Sequence, residues 1–187
     1  MDETLAQPEL QLRTLRWYGE LMCRRDAWAH RLVVACFDGA AGMGMAAAAS
    51  LAGAASLTVD GDAARVKAHF RDGAFDFVVN TLDEALRAIK NEVRKGKPIA
   101  IGLMGEPDVV RAEMEERGVV ADFEVVGVED ESSAELCAWL SEQGWVATEA
   151  VGGESFQDAV RARWMEWLPT HQRSLRGAAR WTWSRGS

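Results

Sequence analysis

The chain has 187 residues, 48% of them hydrophobic, and carries a formal net charge of −8 from 21 basic and 29 acidic side chains. That length suits a single domain with a sizeable core. The acidic balance argues against non-specific nucleic-acid binding, and no apolar stretch approaches the ~20 residues needed to cross a bilayer. The opening Met1-Asp-Glu-Thr is acidic and has no apolar secretory core, so a cytoplasmic protein is expected, with neither membrane nor nucleic acid as partner.

In chain order, the first element is a helical extension over 8–28, where Leu10, Leu12, Leu15, Trp17, Leu21, Met22 and Trp28 recur at helical spacing. Cys23 follows within it. With Cys36 and Cys137 it makes three widely separated cysteines, read as reduced and mostly buried thiols. His30, His69 and His171 have no ligand spacing, and no motif supports a metal site.

From Arg31 the chain carries an apolar β-type run, then Gly39-Ala-Ala-Gly42-Met43-Gly44, then an Ala-rich run to Gly53, then Ala55 to Asp60. Strand, glycine-rich turn, helix, strand and a terminal acid are the parts of a dinucleotide-binding βαβ unit, in their usual order. The chemistry needs those parts. The turn brings backbone N–H groups to a pyrophosphate, the helix N-terminus favours its charge, and the acid accepts from a ribose hydroxyl. Gly39 and Gly44 occupy the first and third glycine places of G-x-G-x-x-G, and Ala41 holds the second, where a methyl group crowds the pyrophosphate. Gly42, beside it, can supply the missing freedom. The bland alternative is a doubly wound sheet whose glycines only shape a tight turn. Asp60 favours NAD over NADP if a dinucleotide binds, and Asp60-Gly61-Asp62 is equally good turn and N-cap chemistry.

Beyond it, 62–72 reads as helix and Phe75–Val79 as a short strand. Thr81-Leu-Asp-Glu84 is a capping box opening a helix with Leu82, Ala85, Leu86, Ile89 and Val93 on one face, and Gly96 suits its C′ position. Pro98–Met104 reads as a buried strand, Pro107 as the first turn of a helix ending near Gly118, and Asp122–Val128 as a strand. Ser132-Ser-Ala-Glu135 opens another helix to Gly144, and Trp145–Thr148 is a last short strand. This alternation implies an α/β fold, doubly wound and Rossmann-like. Its core, about 31–148, holds a mostly parallel sheet of about six strands with helices on both faces. The final segment, 155–187, is helical in pattern and rich in Trp and Arg. It is read as a helix docked on the domain or as a surface for a homo-oligomer or a partner chain.

Four pieces between Gly39 and about Val126 resemble the central NAD-binding domain of the urocanase (urocanate hydratase) family. Gly39 to Gly44 is similar to its Gly-Leu-Gly-Gly-Met-Gly-Gly turn, and Val59-Asp60-Gly-Asp62-Ala-Ala-Arg65-Val66 to its Val-Glu-x-Asp-x-x-Arg-Ile. Val79-Asn-Thr81-Leu-Asp-Glu-Ala-Leu86 is similar to its Asp-Thr-Leu-Asp-Glu-Ala-Leu. Gly96-Lys-Pro-Ile-Ala-Ile-Gly102-Leu-Met-Gly105 matches its Gly-Lys-Pro-Leu-Ser-Ile-Gly-Leu-x-Gly-Asn, with Glu116-Arg-Gly118-Val119 and Asp122 after it. The resemblance implies a Rossmann-type domain that holds NAD as an electrophile. Gly42, Met43 and Gly44 would line the pyrophosphate, Asp60 would replace a ribose-binding glutamate, and Arg65 would match a nucleotide-contacting arginine. Gly105 and Glu106 fall in the corresponding strand-end motif.

The departures bear on function. Ala41 and Met45 replace turn glycines, Ala47 replaces a glutamine, and Glu106 stands in place of an asparagine. The family's Asp-Gln-Thr-Ser-Ala-His and Phe-Asp-Tyr-Gly-Asn-Asn runs have no counterpart. The expected function is therefore a urocanase-like NAD-binding protein without complete hydratase machinery, acting as a nucleotide-binding or partner-dependent protein. Two alternatives stay open: a hydratase or a subunit of a split one, and a scaffold that uses the fold for assembly.

Overall fold

The computed structural model describes residues 7–36, 41–71 and 73–126. Five strands, β1 (Leu32–Cys36), β2 (Ala55–Asp60), β3 (Phe77–Val79), β4 (Ile99–Met104) and β5 (Phe123–Val126), alternate with helices. The helices are α1 (Gln7–Arg24), α2 (Ala41–Ala52), α3 (Ala63–Arg71), α4 (Leu82–Arg94) and α5 (Pro107–Glu116). The sheet is parallel throughout, in the order β3-β4-β2-β1-β5. This is the expected α/β architecture. The sixth strand (145–148), the helix opened by Ser132 and the Trp/Arg-rich segment 155–187 all lie outside the described residues.

Side-chain alternation sorts the sheet into two faces. Leu32, Val34, Cys36, Ala55, Leu57, Val59, Ile99, Ile101 and Leu103 pack with Leu82, Ala85, Leu86 and Ile89 of α4 and with Val110 and Met114 of α5. The opposite face carries smaller residues. There Ala100 packs with Ala46 of α2, Val66 of α3 and Phe75. The small residues let helices approach closely. A Cβ on Gly102 would stand 2.6 Å from the Phe75 ring, so that ring lies flush on β4. Phe75 therefore packs on the sheet instead of opening β3, which begins two residues later than the sequence suggests.

Both edge strands of the described sheet are pinned at their entry by an aspartate. Asp76 donates its N–H to Ala100 O (2.7 Å) and accepts from Ala100 N on Oδ2 (2.8 Å). Asp122 does the same with Leu32, at 2.8 and 2.9 Å, and also binds Arg31. A strand slipped by one residue would lose both bonds and turn its apolar set outward.

Thr81 caps α4 by accepting from Glu84 N, while the Glu84 carboxylate reaches back to Asn80 N, one residue earlier than in a standard capping box. At the other end Gly96 has φ +66, and the N–H groups of Gly96 and Lys97 close onto Val93 O and Glu92 O. That is a Schellman motif with glycine at C′. The helix α2 differs from the rest because it is apolar all round. Met45 to Ala49 are all buried, since one side meets the sheet and the other meets α1.

Candidate functional site

The crossovers leaving adjacent strands β2 and β4 go to opposite faces: α3 joins α2 on one side, and α5 joins α4 on the other. A parallel sheet opens a crevice outside the carboxyl ends of such strands, and ligands bind there. The last register pair across it is Asp60 with Met104. The chain turns immediately beyond, through Gly61 on one side and Gly105-Glu106 on the other, and Gly105 N donates to Asp60 O at 3.1 Å.

Asp60 lies inward with only 4% of its surface exposed. Its Oδ2 accepts from Arg65 Nε at 2.6 Å, and its Oδ1 accepts from Arg65 Nη2 at 2.7 Å and from Asp62 N at 2.8 Å. A planar guanidinium matches a carboxylate in this two-pronged way, which strengthens and orients the pair. The two residues assigned by resemblance to the nucleotide are thus brought together, and they hold each other. Asp62 caps α3, accepting from Ala64 N and Arg65 N, and these bonds hold its carboxyl below the usual carboxylate range. The N-cap reading of Asp62 stands. Asp60 itself is a buried ion-pair partner and not a solvated turn residue.

Glu106 ends the opposite lip. It occupies the N-cap position of α5 in an extended conformation, and its side chain makes no cap bond. The carboxylate instead leans across to the β2–α3 turn. A Cβ on Gly61 would stand 3.0 Å from Glu106 Oε1, so glycine at 61 leaves room for that approach. Behind Glu106 a cleft of about 380 Å³ runs between the starts of α4 and α5, lined by Asn80, Thr81, Asp83, Leu103, Val109 and Glu113 among others. Small-molecule sites occupy a few hundred Å³ and upward. Met104, Gly105 and Glu106, at the carboxyl end of β4, also line this cleft. On its far side Arg117 pairs with Asp83 and Glu113, and its hydrogen bond with Asp83 lowers that carboxyl's pKa.

The glycine-rich segment is placed in part. Gly39 lies outside the described residues. Ala41, Gly42, Met43 and Gly44 form the first turn of α2 and not a turn preceding it. A helix start of this kind leaves backbone N–H groups without intrahelical acceptors, the feature that suits an anion. Gly44 has a second duty. A Cβ there would stand 2.9 Å from Arg13 Cβ and 3.1 Å from the Arg13 and Thr14 backbone, so its lack of a side chain lets α1 cross α2 in contact. The third glycine of the motif ordinarily permits close helix–strand packing; here it serves a helix–helix contact.

No described group at this site is poised as a nucleophile. Cys36, at the end of β1, is a free thiol pushed up to about 11, chiefly by burial and then by Glu124, so it stays protonated at neutral pH. Among the described residues this crevice presents backbone N–H groups at the start of α2 and the carboxylates of Asp60 and Glu106. Two features go beyond the sequence pattern: the lean of Glu106 onto Gly61 and the mutual capture of Asp60 and Arg65. The five-residue spacing of Asp60 and Arg65, across a strand end and a first helical turn, was the available signal for the second. Among the described residues no helix is long and apolar enough to cross a membrane. Compared with known protein families, residues 12–136 match the urocanase Rossmann-like domain.

Proposed function

Because the chain belongs to the urocanase family through its Rossmann-like domain, we propose that it binds NAD across the carboxyl edge of the sheet, as a nucleotide-binding or partner-dependent protein. The observation that carries this reading is the crevice between β2 and β4. It sets an acidic lip beside the β2–α3 turn in the same fold that starts α2 after β1.

The residues present suit the group. The first turn of α2, from Ala41 to Gly44, would take the pyrophosphate on backbone N–H groups. Gly105 and Glu106 would face the adenosine ribose, and Asp60 with Arg65 would shape the β2–α3 turn beside it. When bound, NAD of the urocanase type supplies an electrophile for an imidazole-bearing substrate instead of accepting hydride. This chain's own residues hold and orient it, and no described pair stands ready to move a proton.

The test is direct. Denaturing the purified full chain should release NAD into the supernatant, or the emptied protein should take up NAD in a calorimeter. Absence of both would overturn the reading. Loss of the urocanate absorbance band on mixing with this chain alone would favour the hydratase instead. One observation favours a second reading, a scaffold that keeps the fold for assembly: the oxygens of Asp60 are already satisfied by Arg65 and Asp62. Absence of NAD binding, together with self-association or capture of a partner chain through residues 155–187, would favour that scaffold.

A further inference from the structure

We propose that Glu106, and not Asp60, accepts the hydrogen bond from the 2′-hydroxyl of the adenosine ribose, and so sets the preference for NAD over NADP. This rests on the dinucleotide reading above and assigns one specificity determinant within it.

The usual acceptor is the acid at the end of the second strand. Here that acid is spent. Three donor atoms from Arg65 and Asp62 converge on the two oxygens of Asp60 at 2.6 to 2.8 Å, and the residue is buried. Turning it toward a ribose would break a charge-assisted, two-pronged pair. Glu106 is in the opposite condition. It is exposed, its side chain makes no cap bond to α5, and its carboxylate has no hydrogen bond or ion pair among the described residues. Its carboxylate nevertheless reaches the place the usual acid serves, because it leans over Gly61 at the tip of β2.

The neighbouring charges act the same way. A 2′-phosphate at this lip would meet the carboxylates of Glu106 and Asp62. The Arg65 guanidinium close by already pairs with Asp60 and lies 3.7 Å from Asp62 Oδ2 through Nη1. A ribose diol is therefore accepted and a ribose phosphate repelled. Asp60 becomes a positioning residue that holds the start of α3 against β2.

The experiment titrates wild type, Glu106→Ala, Glu106→Gln and Asp60→Asn with NAD, NADP and NAD lacking the adenosine 2′-hydroxyl. Circular dichroism confirms that each variant is folded. Wild type should bind the deoxy analogue about tenfold more weakly than NAD, the scale of a hydrogen bond to a charged group. Glu106→Ala should bind NAD and the deoxy analogue equally. Glu106→Gln should keep part of the NAD affinity while narrowing the gap to NADP, because an amide accepts the hydroxyl without repelling phosphate. Asp60→Asn should keep the wild-type ratio of NAD to deoxy analogue. If Glu106→Ala keeps that ratio, or folded Asp60→Asn abolishes it, the assignment is overturned while dinucleotide binding stands. If wild type binds neither NAD nor NADP, the dinucleotide reading itself is overturned and this assignment with it.

Discussion

The imidazole of His30 occupies the space that a side chain on Gly96 would need. The ring Nε2 would lie 2.8 Å from a Cβ at that position, and Nδ1 sits 2.8 Å from Val93 O at the end of α4. The loop before β1 is thereby fastened to the C-terminus of α4, across the α4 side of the sheet. Gly96 is constrained twice, by this contact and by its φ of +66. Gly96→Ala should therefore destabilise the domain by about 2 kcal/mol, combining left-handed strain with a steric clash. In a His30→Ala background the clash disappears and only the strain remains. Urea denaturation of the four-member cycle should show the Gly96→Ala cost reduced in that background.

A second close approach makes a prediction on the other face. The Phe75 ring lies against Gly102, where a Cβ would stand 2.6 Å from Cδ2 and 2.8 Å from Cε2. Gly102 is interior to β4 and has neighbours on both sides, so the strand cannot retreat. Gly102→Ala should cost about 1–3 kcal/mol by overpacking. Phe75→Leu in the same molecule should recover part of that loss, whereas Phe75→Leu alone opens a cavity and destabilises. A thermal melt of the two single variants and the double variant reads the result.

These two contacts mark the boundary of what the sequence carries. Elements were legible wherever the cause was local. Thr81 and Glu84 announce the start of α4, Gly96 and Gly118 its end and that of α5, and short apolar runs mark the buried strands. The urocanase-type pieces fixed the order of parts around Asp60. What could not be read depended on residues distant in sequence meeting in space. Gly44 fits a nucleotide motif, yet the space a side chain there would need is taken by Arg13 of α1, 31 residues earlier. Phe75 is as β-prone as Phe77, and only its packing on Gly102 decides that β3 starts later. Glu106 looked like a simple replacement for asparagine. Its reach to Gly61 follows from the pairing of β2 with β4, which skips β3 in sequence.

The Asp60–Arg65 pair should respond asymmetrically to truncation. The Asp60 side chain is 5% exposed and that of Arg65 28% exposed. Removing the arginine strands a buried carboxylate that keeps the bond from Asp62 N. Removing the aspartate leaves a guanidinium that can turn to solvent or toward Asp62, already 3.7 Å away. Arg65→Ala should therefore cost about 2–3 kcal/mol and Asp60→Ala about half of that, because an uncompensated buried charge is the dearer loss. Equal costs in equilibrium unfolding would mean that water reaches Asp60 and relieves it.

The thiol of Cys36 gives a pH-dependent prediction with a definite sign. Its value is raised from 9.0 to about 11 by burial first and by the nearby Glu124 carboxylate second, against a smaller opposing influence of Arg111. The folded state thus prefers the protonated thiol. That preference contributes its full stabilisation below pH 9, where the thiol is protonated both folded and unfolded. As pH climbs from about 9 toward 11 the unfolded chain ionises first, and the contribution drains away. Stability measured by urea should fall across that window in wild type and fall less in Cys36→Ala. The same burial predicts slow alkylation. At pH 8 under native conditions, iodoacetamide followed by peptide mass analysis should label half-buried Cys23 well before Cys36. Comparable labelling of the two would mean that the end of β1 opens to solvent far more often than its packing against β2 and β5 implies.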